Sequence, residues 1–225
     1  MLQRRLIVLL LLFISAPALA QLRWREGVEY QVIANPERFG APADKIEVVE
    51  VFSYGCPYCF KASEDMAKLA AQLPADAAMT WVHASFRPDE GWLMFQRAYY
   101  AARKLGIADA AHEAMFKAVW ETGEIPLVDV ATGRMRKPLP TISDAAKFYA
   151  AHTSVKAADF LKAAGSADVN AAMERADRLI KQWRVSGTPS LVVNGRYLVS
   201  NDLPFSEQAQ IVNFLVGRER SRLKK

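Results

Sequence analysis

The feature that most restricts the fold is an apolar strand that runs directly into a turn carrying two cysteines. Residues 45–53 read K-I-E-V-V-E-V-F-S, a β-branched run typical of a central buried strand. Residues 54–59, Y-G-C-P-Y-C, follow at once, and apolar residues then recur at helical spacing until Pro74. Pro57 falls in the first helical turn, where its missing N–H removes no hydrogen bond. The sequence therefore predicts strand, turn and helix, with both cysteines at the helix start.

The remaining pattern predicts an α/β protein. Asn194-Gly195 between two apolar runs is a strong hairpin signal, and Ser143 and Asp168 are candidate N-caps. Without the helices that follow the third strand, a βαβ unit and an αββα unit remain, which predicts a mixed sheet with helices on both faces. Strands are predicted at 30–34, 45–53, 79–86, 190–193 and 196–200, and helices at 57–73, 93–105, 110–121, 143–151, 155–164, 168–183 and 205–219.

The first twenty residues are typical of a secretory signal peptide. Arg4 and Arg5 precede the apolar run 6–14, and the small-residue exit 18–20 follows. We expect cleavage near Ala20 and a soluble, exported mature protein; a twin-arginine signal is the alternative. Removing two arginines lowers the formal charge from +5 to +3, a mild surplus that argues against nucleic acid.

The chain has two cysteines, and they are three positions apart. A bridge closing so short a loop stabilises a fold by only about 2 kcal/mol, which disfavours a purely structural disulfide. A zinc site would need further ligands, but His83, His112 and His152 are scattered over a strand and two helices. A cysteine protease would leave Cys59 without a purpose. The sequence therefore predicts thiol–disulfide chemistry without a metal or another cofactor.

The helix start favours negative charge on the first cysteine. Free N–H groups and the helix dipole should lower the pKa of the Cys56 thiol well below its free value of about 8.5, so Cys56 is the predicted exposed nucleophile. Cys59, one turn further in, is the predicted buried resolving thiol. A Cys56 pKa of about 4.5 would stabilise the dithiol at pH 7 by about 3.4 kcal/mol, or about 70 mV. A stabilised dithiol makes the disulfide an oxidant.

Two segments carry a resemblance to a known family. E-V-F-S-Y-G-C-P-Y-C-F at 50–60 and G-T-P-S-L-V-V-N-G-R-Y at 187–197, with the helical block between them, are similar to the DsbA family of periplasmic protein-disulfide oxidases. The resemblance implies a thioredoxin-like fold with an inserted helical domain. It divides the chain into a signal peptide (1–20), a first thioredoxin part (21–87), the insertion (88–167) and a second thioredoxin part (168–225).

The resemblance also implies roles for residues around the motif. Thr188-Pro189 matches the family's cis-proline loop and, with Pro57 and Tyr58, should contact substrate. Glu50 matches the buried acid that takes a proton from Cys59; a strand residue reaching solvent is the alternative. Tyr58 departs from the family's usual Pro-His dipeptide and resembles glutaredoxins, so we expect a weaker oxidant than the family's best-known members.

The predicted function is donation of the Cys56–Cys59 disulfide to newly exported, unfolded proteins in the periplasm. The resemblance implies a monomer that is reoxidised by a membrane quinone-linked, DsbB-like partner. A disulfide isomerase or reductase and a non-catalytic chaperone are the alternatives. Aromatic residues and a methionine in the first inserted helix indicate core packing more than a substrate groove: Trp92, Met94, Phe95, Tyr99 and Tyr100.

Overall fold

A computed structural model describes residues 24–224 of the 225-residue chain, so the predicted signal peptide lies outside the described residues. The elements alternate as the sequence predicts. The strands are β1 Tyr30–Val32, β2 Ile46–Phe52, β3 Ala77–His83, β4 Ser190–Val193 and β5 Tyr197–Val199. The helices are α1 Pro57–Gln72, a 3-10 helix Pro88–Glu90, α2 Trp92–Lys104, α3 Ala108–Trp120, α4 Ile142–His152, α5 Ala157–Ala164, α6 Ala167–Gln182 and α7 Phe205–Leu223.

The five strands form one mixed sheet in the order β1-β5-β4-β2-β3. Strand β2 pairs parallel with β3 and antiparallel with β4, and all seven of its residues are buried. Ile46 and Val48 belong to the core with α1 and α7, whereas Val49 and Val51 belong to the core with the helical block. Burial on both faces explains the nearly continuous apolar run in the sequence.

The β4–β5 connection is the predicted two-residue hairpin. Asn194 and Gly195 have φ angles of 52° and 60°, the positive values that a type I′ turn requires. A Cβ on Gly195 would lie 2.0 Å from the carbonyl oxygen of Glu37. The glycine is therefore needed for both its backbone angle and its close contact with a neighbouring loop.

Helices α2 to α5 follow β3 in the chain. Helices α3, α4 and α5 pack against α2, which also contacts α6. The two predicted N-caps, Ser143 and Asp168, are wrong because each lies inside its helix. Thr141 caps α4 in a reciprocal capping box with Asp144, and Ser166 caps α6 by accepting the N–H of Val169. None of the described helices is long and apolar enough to cross a membrane.

Candidate active site

Both cysteines lie where β2 meets α1. Cys56 is the N-cap of α1 in an extended conformation, and Cys59 is in the first turn. Both are reduced in the structure. Cys56 is 3 % exposed to solvent and Cys59 is fully buried, so the expectation of an exposed Cys56 is wrong. Cys56 instead lines the wall of a groove of about 730 Å³.

The surroundings of Cys56 favour its thiolate. The pKa of the Cys56 thiol is lowered to about 6, and the largest cause is a hydrogen bond from the Cys59 thiol. Burial raises this pKa. Hydrogen bonds from the Thr188 side chain and from the amides of Cys59 and Tyr58 lower it further. The two amides belong to the second and third helical residues, which face an N-cap side chain. Against a free value of about 8.5, a pKa of about 6 stabilises the dithiol at pH 7 by about 1.4 kcal/mol, or about 30 mV. This shift is less than half of the 70 mV that a pKa of about 4.5 would produce.

Cys59 has the opposite character. Burial raises the pKa of its thiol well above the usual value, and the hydrogen bond to Cys56 and the charges of Cys56 and Glu50 raise it further. The pair therefore holds one proton near neutral pH, on Cys59. Cys56 is the thiolate.

Glu50 lies in the middle of β2 with 2 % of its surface exposed, so the alternative of a side chain that reaches solvent is wrong. Burial raises the pKa of its carboxyl to about 8, a hydrogen bond from Trp81 lowers it in part, and the charge of Cys56 raises it. Trp81 is its register partner on β3. A neutral indole N–H is thus the hydrogen-bond donor to this carboxyl, which is largely protonated at pH 7.

The loop before β4 closes the site from the other side. The Thr188–Pro189 peptide bond is cis, as predicted. The Sγ of Cys56 lies 3.5 Å from the carbonyl oxygen of Thr188 and can donate to it when protonated. Residues 186–188 line the same groove as Cys56.

Sequence reasoning missed how Tyr54, two residues before Cys56, is held. Its N–H donates to Nε2 of His83 at 3.2 Å, and its carbonyl accepts from the indole of Trp120 at 2.8 Å. Its hydroxyl lies 2.9 Å from Nδ1 of His112. The contacts come from β3 and α3, which are distant in sequence, so no local pattern indicates them.

The two histidines of this network are neutral and structural. Burial lowers the pKa of His83 to about 3 and that of His112 to about 4. The second nitrogen of His83 lies 2.8 Å from the Ala84 carbonyl, so Nδ1 carries the proton and Nε2 accepts from Tyr54. His152 is instead exposed and lies 2.9 Å from Glu124. Within residues 24–224, no group of three or more His, Cys, Asp or Glu side chains could hold a metal ion.

The aromatic residues of α2 divide between core and groove. Phe95, Tyr99 and Tyr100 are buried, as the core interpretation predicts. Trp92 is also buried but lines the groove, and its indole would clash at 2.8 Å with a Cβ on Gly55. Gly55 is therefore required for the close approach of the indole to the residue before Cys56.

The chain is similar to known proteins over most of its length. The family model described as thioredoxin matches residues 34–212. The thiol:disulfide interchange protein DsbA of Azotobacter vinelandii is 34% identical over 184 residues, 80% of this chain and 78% of that protein. The protein of the same name from Pseudomonas aeruginosa is 29% identical over 202 residues, 88% and 87% of the two chains.

Solved structures of DsbA proteins are also similar to this chain. The crystal structure of the oxidoreductase DsbA from Xylella fastidiosa superposes with a TM-score of 0.74 at 34% identity, covering 86% of this chain and 96% of that one. Pseudomonas aeruginosa DsbA gives a TM-score of 0.72 at 28% identity, covering 88% and 95%.

Proposed function

The chain belongs to the DsbA family of thioredoxin-like thiol:disulfide interchange proteins and is a protein disulfide oxidoreductase, and from that premise we propose that it oxidises newly exported proteins with its Cys56–Cys59 disulfide. The observation that carries the proposal is the opposite ionisation of the two thiols. Cys56, with a pKa of about 6, is a good leaving group, whereas Cys59 stays protonated.

The proposed reaction has two exchange steps. A substrate thiolate attacks Sγ of Cys56, the Cys56–Cys59 bond breaks, and Cys59 leaves. The second substrate thiolate then attacks the substrate sulfur of the mixed disulfide, and Cys56 leaves as the thiolate. Two electrons pass from the substrate dithiol to the motif, and the substrate gains a disulfide.

We assign Glu50 the proton of Cys59. The leaving Cys59 sulfur is buried and must be protonated, and Glu50, with a pKa of about 8, carries a proton to give at pH 7. In the reverse step, when Cys59 attacks a mixed disulfide, the Glu50 carboxylate takes that proton back. No cation among the described residues 24–224 lowers the pKa of Glu50, so this pKa stays near neutral pH and the carboxyl can both give and take the proton.

The substrate segment is proposed to lie across the groove between Tyr58 and the Thr188–Pro189 loop. Tyr58 is 68 % exposed beside Cys56, and Pro57 lines the same groove. The Thr188 carbonyl lies within hydrogen-bond reach of Cys56, which supports the proposal that it pairs with an extended chain once a substrate sulfur is bound to Cys56.

Family membership and the sequence of the N-terminal segment support a proposal for the setting of the reaction. We propose export to the periplasm after cleavage near Ala20 and function as a monomer. A membrane quinone-linked, DsbB-like partner is proposed to reoxidise the dithiol, because each round of substrate oxidation leaves the motif reduced.

The test is stoichiometric oxidation of a reduced, unfolded ribonuclease. The oxidised parent should yield one substrate disulfide per enzyme. Mixed instead with oxidised, scrambled ribonuclease, the reduced Cys59→Ser variant should attack a substrate disulfide through Cys56 and accumulate the mixed disulfide, because the resolving thiol is missing. The Cys56→Ser variant should form none. A parent that leaves the ribonuclease reduced, but whose dithiol reduces disulfides readily, would contradict the oxidase and favour the reductase alternative.

A further inference from the structure

The groove beside Cys56 carries an uncompensated negative charge at its far wall. That wall is the turn 86–90, which contains the 3-10 helix. Arg87 and Glu90 neutralise each other in an ion pair of 2.9 Å. Asp89 is exposed, and among the residues that the structure describes no cation pairs with its carboxylate. The charges lining the groove therefore sum to one negative charge when Cys56 is in a disulfide.

Aromatic side chains line the same groove. Phe86, 40 % exposed, packs against Trp92 with ring centroids 6.4 Å apart, and Tyr58 is 68 % exposed. Such faces attract guanidinium and ammonium groups and cover their aliphatic stems. The nearby cation Lys61 lies 6.0 Å from the Tyr58 ring centroid, on α1 and outside the groove lining. Among the residues that the structure describes, Lys61 forms no ion pair with Asp89 or Glu90.

We infer that the groove selects substrate segments with an arginine or lysine a few residues from the reacting cysteine, held by Asp89 between aromatic faces. The inference rests on the proposed function and specifies its substrate class. An exposed ion pair and one cation–π contact together correspond to a preference of about fivefold over a neutral residue. Acidic segments are disfavoured by the same carboxylate.

The experiment uses three reduced two-cysteine peptides that differ at one position, three residues from the first cysteine: arginine, alanine or glutamate. The rate constant for reduction of the Cys56–Cys59 disulfide is measured for each. Because a nearby cation also activates the peptide thiol, every rate is divided by that of the same peptide with a small-molecule disulfide. The parent should prefer the arginine peptide over alanine by about fivefold, less at high salt.

Three variants separate the charge from other effects. Asp89→Asn should remove the preference, whereas Asp159→Asn, a matched change on α5 that lines a different cavity, should keep it. Arg87→Gln frees Glu90 and should increase the preference, which a purely structural role would not do. If the parent oxidises all three peptides at equal normalised rates, or Asp89→Asn keeps the preference, the inference is overturned and the proposed function stands. If no peptide is oxidised, both fail.

Discussion

At the scale of single residues, the chemistry depends on which groups hold protons. Cys56 is ionised near neutral pH, whereas Cys59 and Glu50 keep their protons, although all three side chains are buried close to one another. The difference has a local cause. Hydrogen bonds from Cys59 and the helix amides lower the pKa of Cys56, whereas burial dominates at Cys59 and Glu50.

Glu50→Gln should change both the reaction and the pH dependence of stability. The variant cannot accept the Cys59 proton, so attack of Cys59 on a mixed disulfide should slow, while release of Cys56 is unchanged. Because the folded pKa of Glu50 is about 8 and the unfolded one about 4.5, folding retains a proton between these values. The free energy of unfolding of the reduced parent should therefore lose about 1.4 kcal/mol per pH unit in that window through Glu50.

Denaturant unfolding at pH 5 to 8 and quenched mixed-disulfide kinetics check this prediction. The variant should lack the Glu50 contribution to the slope. Equal pH profiles and equal decay rates in parent and variant would remove Glu50 from the mechanism.

Tyr58→His should make the protein a stronger oxidant. A protonated imidazole offers a charge-assisted donor to the Cys56 thiolate, and such bonds are about twice as strong as neutral ones. An added 1.4 kcal/mol of thiolate stabilisation would appear as about 30 mV in glutathione equilibration at pH 7. Tyr58→Phe is the control, since it keeps the ring and removes the hydroxyl. A histidine variant with an unchanged or more reducing potential would show that the amides and Thr188 already dominate.

At the scale of elements, the strands and helices were predictable because their signals are local. The apolar run of β2, the Pro57 helix start and the Asn194-Gly195 turn each occupy a few consecutive residues. The predicted N-caps of α4 and α6 are wrong because several polar residues lie near each helix start. Only the folded chain determines which hydroxyl accepts a hydrogen bond from a free N–H.

Gly195→Ala should destabilise the hairpin severely. An added Cβ meets the Glu37 carbonyl at 2.0 Å and the backbone φ is 60°, so both the turn and the neighbouring loop must shift. We expect a loss of about 2–4 kcal/mol in thermal or denaturant unfolding. Gly217→Ala, in α7 with open space around the added methyl, is the control and should be neutral or stabilising. A Gly195→Ala variant as stable as the parent would contradict the described turn.

At the scale of the whole molecule, the helical block reaches the active-site turn through Tyr54. Trp120 on α3 donates to the Tyr54 carbonyl and stacks on Phe60, whose ring centroid is 6.1 Å away. Neither contact is visible in the sequence, where Trp120 is one apolar position of a helix. The sequence therefore predicted the two cysteines at the start of α1 but not the network around the turn that carries them.

Trp120→Phe tests this link. The ring packing is largely kept, but the Tyr54 carbonyl loses its donor, so we expect about 1–2 kcal/mol lower stability and a raised Cys56 pKa. Trp183→Phe is matched, because Trp183 also donates to a backbone carbonyl, that of Glu37, away from the cysteines. Both variants should lose similar stability in denaturant unfolding. Thiolate absorbance titration should shift only in Trp120→Phe, and equal shifts in both variants would contradict a positioning role.

If an acidic Cys56 makes the disulfide an oxidant, its ionisation must appear in the reduction potential, measured against glutathione from pH 5 to 8. Below a Cys56 pKa of about 6, reduction takes up two protons, and the potential should fall by about 60 mV per pH unit; above it, by about 30 mV. The Glu50→Gln variant is measured beside the parent, so that proton uptake by Glu50 can be distinguished from proton uptake by the cysteines. We predict the change of slope near pH 6 in the variant. A constant slope of about 60 mV up to pH 8 would mean an ordinary thiol and would contradict the account.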